Sequence, residues 1–115
     1  MEDLLIKTLE VFGYPVMRQG SLAPNEAYPS HFFTFWNNDA SGDSFYNNKE
    51  NRIIWDFDVN FYSIDPELTY SKQLEAKKAL KKAGFIVSGR GYDVATDEPT
   101  HTGRGMNAFF IEMIH

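Results

Sequence analysis

Asp56 and Asp58 stand two residues apart in RIIWDFDVNFYSID, and they are the clearest candidates for chemistry in the chain. On an extended strand they project from one face about 7 Å apart. At such a separation one carboxyl can act as acid and the other as base or nucleophile. The same stretch nearly spells a calcium loop, with Asp56, Asp58 and Asn60 in the first, third and fifth places and Glu67 in the twelfth. The sixth place, which needs Gly for its sharp turn, holds Phe61. Calcium is not expected there, and alternating acids on a solvated strand face are the plainer reading.

Other constellations fall short of a site. His31, His101 and His115 have neither HxH nor HxxxH spacing, and the chain has no Cys, so no metal centre is expected. His101 with Asp97 and Glu98 reads as a solvated polar loop rather than a ligand set. No Ser lies in a GxSxG context, and Gly89-Arg-Gly91 lacks the remainder of a dinucleotide fingerprint and the helix that should follow it. No enzyme signature survives among these residues, and no catalytic residue is assigned.

The stretch GRGYDVATDEPTHTGRG, residues 89–105, is the least ordinary part of the chain, with five Gly or Pro in seventeen residues. A connection of that length exceeds what a compact domain needs, so it is a candidate for function.

Periodicity supplies the elements that must carry these residues. Leu4, Leu5, Thr8, Leu9 and Phe12 recur at helical spacing before Gly13, which predicts a helix over 2–12. A short strand is expected over 14–18, a loop over 19–30 and an aromatic strand, HFFTFW, over 31–36. Residues 37–51 carry turn chemistry, with Phe45 and Tyr46 placed for a brief pairing. Ile53, Trp55, Phe57, Val59 and Phe61 alternate with polar residues and predict a long strand with one buried face. Asp65-Pro66-Glu67 is a helix start, and the helix is expected over 66–83, ended by Gly84, with Tyr70, Leu74, Lys77 and Leu80 inward and Ala76 and Ala83 beside them. FIVSG (85–89) reads as a strand, GYDVA as its extension or a further strand, and 106–114 as the last strand. The order α-β-β-β-α-β-β predicts one small α+β domain over 1–115, a mostly antiparallel sheet with two helices packed on one face.

Composition agrees with a single folded core. The chain has 115 residues, of which 43% are hydrophobic and 16% aromatic. The lack of Cys favours a reducing, intracellular setting, and neither a signal peptide nor a membrane span is expected. Net charge is −5, yet residues 72–82 carry five Lys against one Glu, a local +4 that leaves −9 elsewhere. Acidity overall disfavours nucleic acid as a partner. Lys72, Lys78, Lys81 and Lys82 are read as an outward basic face. In a chain otherwise acidic, that face could meet the acidic side of a second copy head to tail.

The segments YPVMRQGSLAPNEAYPSHFFTFWN, VNFYSIDPELTYSKQLEAKKALKKAGF and GYDVATDEPTHTGRGMNAFFIE resemble small tail-completion proteins of long-tailed phages and prophages of Gram-positive bacteria, the tail-terminator or head–tail joining proteins. The resemblance covers residues 14–112. It implies a compact α+β structural protein with no enzymatic activity and no cofactor, acting as a ring on assembly and docking to tail-tube or head-connector proteins. It also implies a place in the host cytoplasm during assembly and then in the virion head–tail region. In such a protein residues 89–105 would be a docking loop, with Arg90, Tyr92, Asp97, Glu98, His101 and Arg104 as its contacts. Two alternatives stand beside this reading: a small enzyme using Asp56 and Asp58, and a nucleic-acid-binding module using the Lys-rich helix 66–83.

Overall fold

The alternation that runs through Asn51–Ser63 is realised as the central strand of a five-stranded sheet. The computed structural model describes residues 1–19, 28–42, 51–96 and 98–114. The elements are α1 (Glu2–Glu10), β1 (Val16–Arg18), β2 (His31–Gly42), β3 (Asn51–Ser63), α2 (Pro66–Lys82), β4 (Tyr92–Val94) and β5 (Thr102–Ile114), in the sheet order β1-β2-β3-β5-β4. β1 runs parallel to β2, and every other pairing is antiparallel. The fold is α+β in the order the periodicity predicts.

Burying one face of that sheet positions everything else. Phe57, Val59 and Phe61 of β3, Phe33 and Phe35 of β2, and Met106 and Ala108 of β5 form one core with Leu5 and Leu9 of α1 and Ala76 and Leu80 of α2. Each fully buried Leu or Phe contributes roughly 1.5–3 kcal/mol relative to exposure. Both helices therefore cover the same side, and the other side carries Trp36, Asp56, Asp58, Asn107, Phe109, Ile111 and Met113. No helix among the described residues is long and apolar enough to cross a membrane.

α2 starts as its sequence dictates. The Asp65 side chain accepts a hydrogen bond from the Glu67 N–H at 3.0 Å, and Pro66 opens the first turn. Its inner stripe, however, is Thr69, Gln73, Ala76 and Leu80, whereas Tyr70 is exposed and Leu74 only half-buried. Thr69 is tolerated inside because its hydroxyl meets that of Thr102 at 2.9 Å.

β1 is shorter than expected, starting at Val16 rather than 14, and three larger differences concern the other strands. β2 does not stop at 36 but continues to Gly42 through residues with turn chemistry. A bulge between Asn37 and Asp39 shifts its register, and the β3 ladder then holds it in place. Residues 43–50, with the Phe45–Tyr46 pairing, lie outside the described residues. The expected strand 85–89 is reduced to a single bridge, Ile86 with Phe109. Gly89 and Gly91, at φ +76° and +84°, turn the backbone off the ladder before β4 rejoins it. β5 begins at Thr102, four residues earlier than expected, because β3 and β4 both pair with its start.

Candidate functional site

Asp56 and Asp58 sit where the alternation puts them, on the side of the sheet that the helices leave bare. β3 stays extended through both, paired to β2 on one side and β5 on the other. Trp36 and Asn107 are the cross-strand partners of Asp58. The Asn107 side-chain amide donates to Asp58 Oδ1 at 2.5 Å and to Asp56 Oδ1 at 3.4 Å, and the Asn38 amide donates to Asp56 Oδ1 at 3.4 Å. The carboxylates thus share the Asn107 amide, and Asp56 also takes that of Asn38. No ion pair among the described residues neutralises them.

Tyr92 borders the acidic pair, and Tyr62 lies further along the same side of β3. Tyr62 lies against Gly103 and Tyr92 against Gly105, so tightly that a Cβ on either glycine would come within 2.8 Å of ring carbons. Partial burial first, then the charges of Asp58 and Asp56, push the Tyr92 hydroxyl pKa up from its ordinary value.

Residues 89–105 are less of a free loop than their composition suggests. Tyr92, Asp93 and Val94 pair with Gly105, Arg104 and Gly103, which leaves 95–101 as the connection. The Thr96 hydroxyl accepts from Glu98 N–H at 2.9 Å and donates to Glu98 C=O at 2.7 Å, closing a local turn. His101 is buried; its Nε2–H donates to the Pro29 carbonyl at 2.8 Å, with Tyr28 and Phe32 edge-on around the ring. Arg104 donates to Asp93 Oδ1 at 2.9 Å and to the Arg90 carbonyl at 3.0 Å, with its guanidinium 5.4 Å from the Tyr70 ring centre. It staples the edge strand to α2.

The six residues expected as docking contacts therefore separate. Arg90 and Tyr92 are exposed and Glu98 half-buried, while His101 and Arg104 face inward and hold the hairpin itself. Asp97 lies outside the described residues. Between the hairpin and the first turns of α2 is an open-sided cavity of about 660 Å³ lined by Pro66, Tyr70, Val94, Glu98, His101 and Arg104 among others. Neither Asp56 nor Asp58 reaches it.

The basic face is also divided. Lys78, Lys81 and Lys82 are exposed, as expected. Lys72 is not outward: its side chain is 22% exposed, pairs with Glu75 at 2.9 Å and sits 5.7 Å from the Phe12 ring, tying α2 to the end of α1. The Glu75 hydrogen bond pushes its pKa up. Lys77 reaches across to the Gly89 carbonyl. His31 bonds Ser63, apart from His101, and His115 lies outside the described residues.

Sequence reasoning did not single out Trp36, Asn38 or Asn107. Only the register across β2, β3 and β5 brings them to the carboxylates.

The chain matches no protein-family model and no curated protein. Its function is therefore read from geometry and from the resemblance of its segments.

Proposed function

We propose that this chain is a non-enzymatic structural protein of the phage tail-completion type, which caps a tail tube or joins it to the head connector. The observation that carries the reading is the segregation of its charge. Asp56 and Asp58 project from the bare side of the sheet, and Lys78, Lys81 and Lys82 from exposed positions on α2 over the other side. Complementary outer faces of this kind support recognition of large partners more than turnover of a small molecule. The resemblance of residues 14–112 to tail-terminator and head–tail joining proteins points the same way. In this reading the chain assembles as a ring on its target, in the host cytoplasm, and ends in the head–tail region of the virion.

The exposed part of the hairpin, Arg90 and Tyr92, is the docking element toward tail-tube or connector protein. The test is capture of such a protein by tagged chain from cells that co-express the neighbouring tail and connector genes. Wild type should capture it, and Arg90→Glu with Tyr92→Ala should lose it while keeping the wild-type circular dichroism spectrum. Capture of neither partner by a folded wild type would remove the reading.

A further inference from the structure

Two faces of this molecule are complementary in charge and cannot meet within one chain. Among the described residues Asp56 and Asp58 are held by the amides of Asn38 and Asn107, and no ion pair reaches them. Trp36, the strand partner of Asp58, is 48% exposed beside them. One position further along that face of β2, Thr34 keeps a buried hydroxyl without a described partner. Lys78, Lys81 and Lys82 are exposed on the last turns of α2, and no ion pair among the described residues reaches them. The body of α2 and the sheet stand between the lysines and the carboxylates.

We infer that these faces are the two halves of one contact, in which the α2 lysines of one copy dock on the Asp56–Asp58–Trp36 face of the next. The inference rests on the assembly reading above and names the contact that builds it. The occupant is a second copy because the chain itself carries the matching charge: +4 over residues 72–82 against −9 elsewhere. The chemistry of each half fits the other. The exposed indole accepts the aliphatic stem or ammonium of a lysine, and the two carboxylates beside it take the charge. Docking removes both from water, where their attraction is stronger than on an open surface. The contact joins different faces, so it repeats in one direction, giving a ring if the rotation closes and a filament if it does not.

Zero-length carbodiimide coupling tests this directly, since it joins only lysine and carboxylate groups already in contact. The sample is an equal mixture of isotope-labelled and unlabelled full chain at high concentration and low salt, read by mass spectrometry. Mixed-label links between Lys78, Lys81 or Lys82 and Asp56 or Asp58 are expected. They should fade toward 1 M salt, where the screening length is about 3 Å. They should vanish in Lys78→Glu/Lys81→Glu/Lys82→Glu and in the near-isosteric Asp56→Asn/Asp58→Asn. Mixing the triple Lys→Glu chain with Asp56→Lys/Asp58→Lys should restore linkage in alternating order. Wild-type links at other surfaces only, or links unchanged in these variants, would overturn the contact and leave the assembly reading standing. A wild type that neither links to itself nor captures a tail or connector protein overturns both.

Discussion

Tyr62 and Tyr92 occupy the space that side chains at Gly103 and Gly105 would take, so the acidic face owes its shape to two missing methyl groups. A Cβ on Gly105 would lie 2.4 Å from Asn60 Oδ1 and 2.8 Å from Tyr92 and Val94 carbons. Gly105→Ala should therefore cost about 2–3 kcal/mol through overpacking, measured as a lowered denaturant midpoint. Gly13 is the control: its φ of +83° is strained for Ala but nothing lies within 4 Å, so Gly13→Ala should cost only about 1 kcal/mol. Equal losses at the two sites would remove the packing argument. The same ring gives a pH prediction. The Tyr92 pKa is raised in the folded chain, by burial first and by Asp58 and Asp56 after it. The folded state then holds that proton more tightly than the unfolded one. The resulting stability is complete below the unfolded value of about 10 and is lost as pH rises through the folded value. Lys72, raised chiefly by its hydrogen bond with Glu75, acts in the same alkaline window with the same sign. Ultraviolet titration of wild type against Tyr92→Phe isolates the phenol. Asp56→Asn/Asp58→Asn should lower its midpoint without returning it fully to the ordinary value. An unchanged midpoint would show that the carboxylates do not act on the ring.

At the scale of elements, α2 carries both the best and the worst of what was legible in the sequence. Asp65-Pro66-Glu67 announced its start because capping is local chemistry, and Asp65→Ala should lower stability by about 1 kcal/mol, read from thermal unfolding. Its inner stripe was right at Ala76 and Leu80 but misplaced in the first turns, because apolar periodicity pointed to Tyr70 and Leu74, whereas the buried positions there are Thr69 and Gln73. Polar residues at core positions give no hydrophobic signal; here Thr102 and Met106, far along the chain, receive them. Gln73 remains imperfectly accommodated, with Nε2 on the Met106 sulfur at 3.6 Å and Oε1 unpaired among the described residues. Gln73→Met, close in volume, should raise stability by about 1 kcal/mol by removing that buried polar atom. A loss would mean that the amide does more than fill space. The same locality explains the strands. The alternation of β3 was readable within thirteen residues, but the length of β2, the early start of β5 and the Asn107 clamp depend on register between distant segments.

The whole molecule is lopsided along its strands. β2, β3 and β5 run 12 or 13 residues, while β1 and β4 have 3 each. The helices cover the half around Phe57 and Phe61; toward Asn51 and Ile114 the sheet extends as a tongue whose bare side exposes Ile111 and Met113. Amide hydrogens of residues 52–55 and 110–113 should exchange markedly faster than those of 57–61, even where both are ladder-bonded, because fewer buried side chains must part to open them. Uniform protection along β3 would contradict this.

That asymmetry also sets the order in which the chain must come together. Ser63 and Thr102, at the helix-covered end of the β3–β5 ladder, are 39 residues apart, and every further rung toward Asn51 and Ile114 closes a longer loop. Closure entropy rises with loop length, so this ladder zips from Ser63–Thr102 outward, whereas β2 and β3 close first at the tongue end, where Gly42 pairs with Ile53 at the smallest separation of their ladder. Conservative truncations near Thr102 should then slow folding, and those near Ile111 should mainly hasten unfolding. Within the tongue it is the β5 segment carrying the exposed Ile111 and Met113 that joins last, onto a β2–β3 pair already formed.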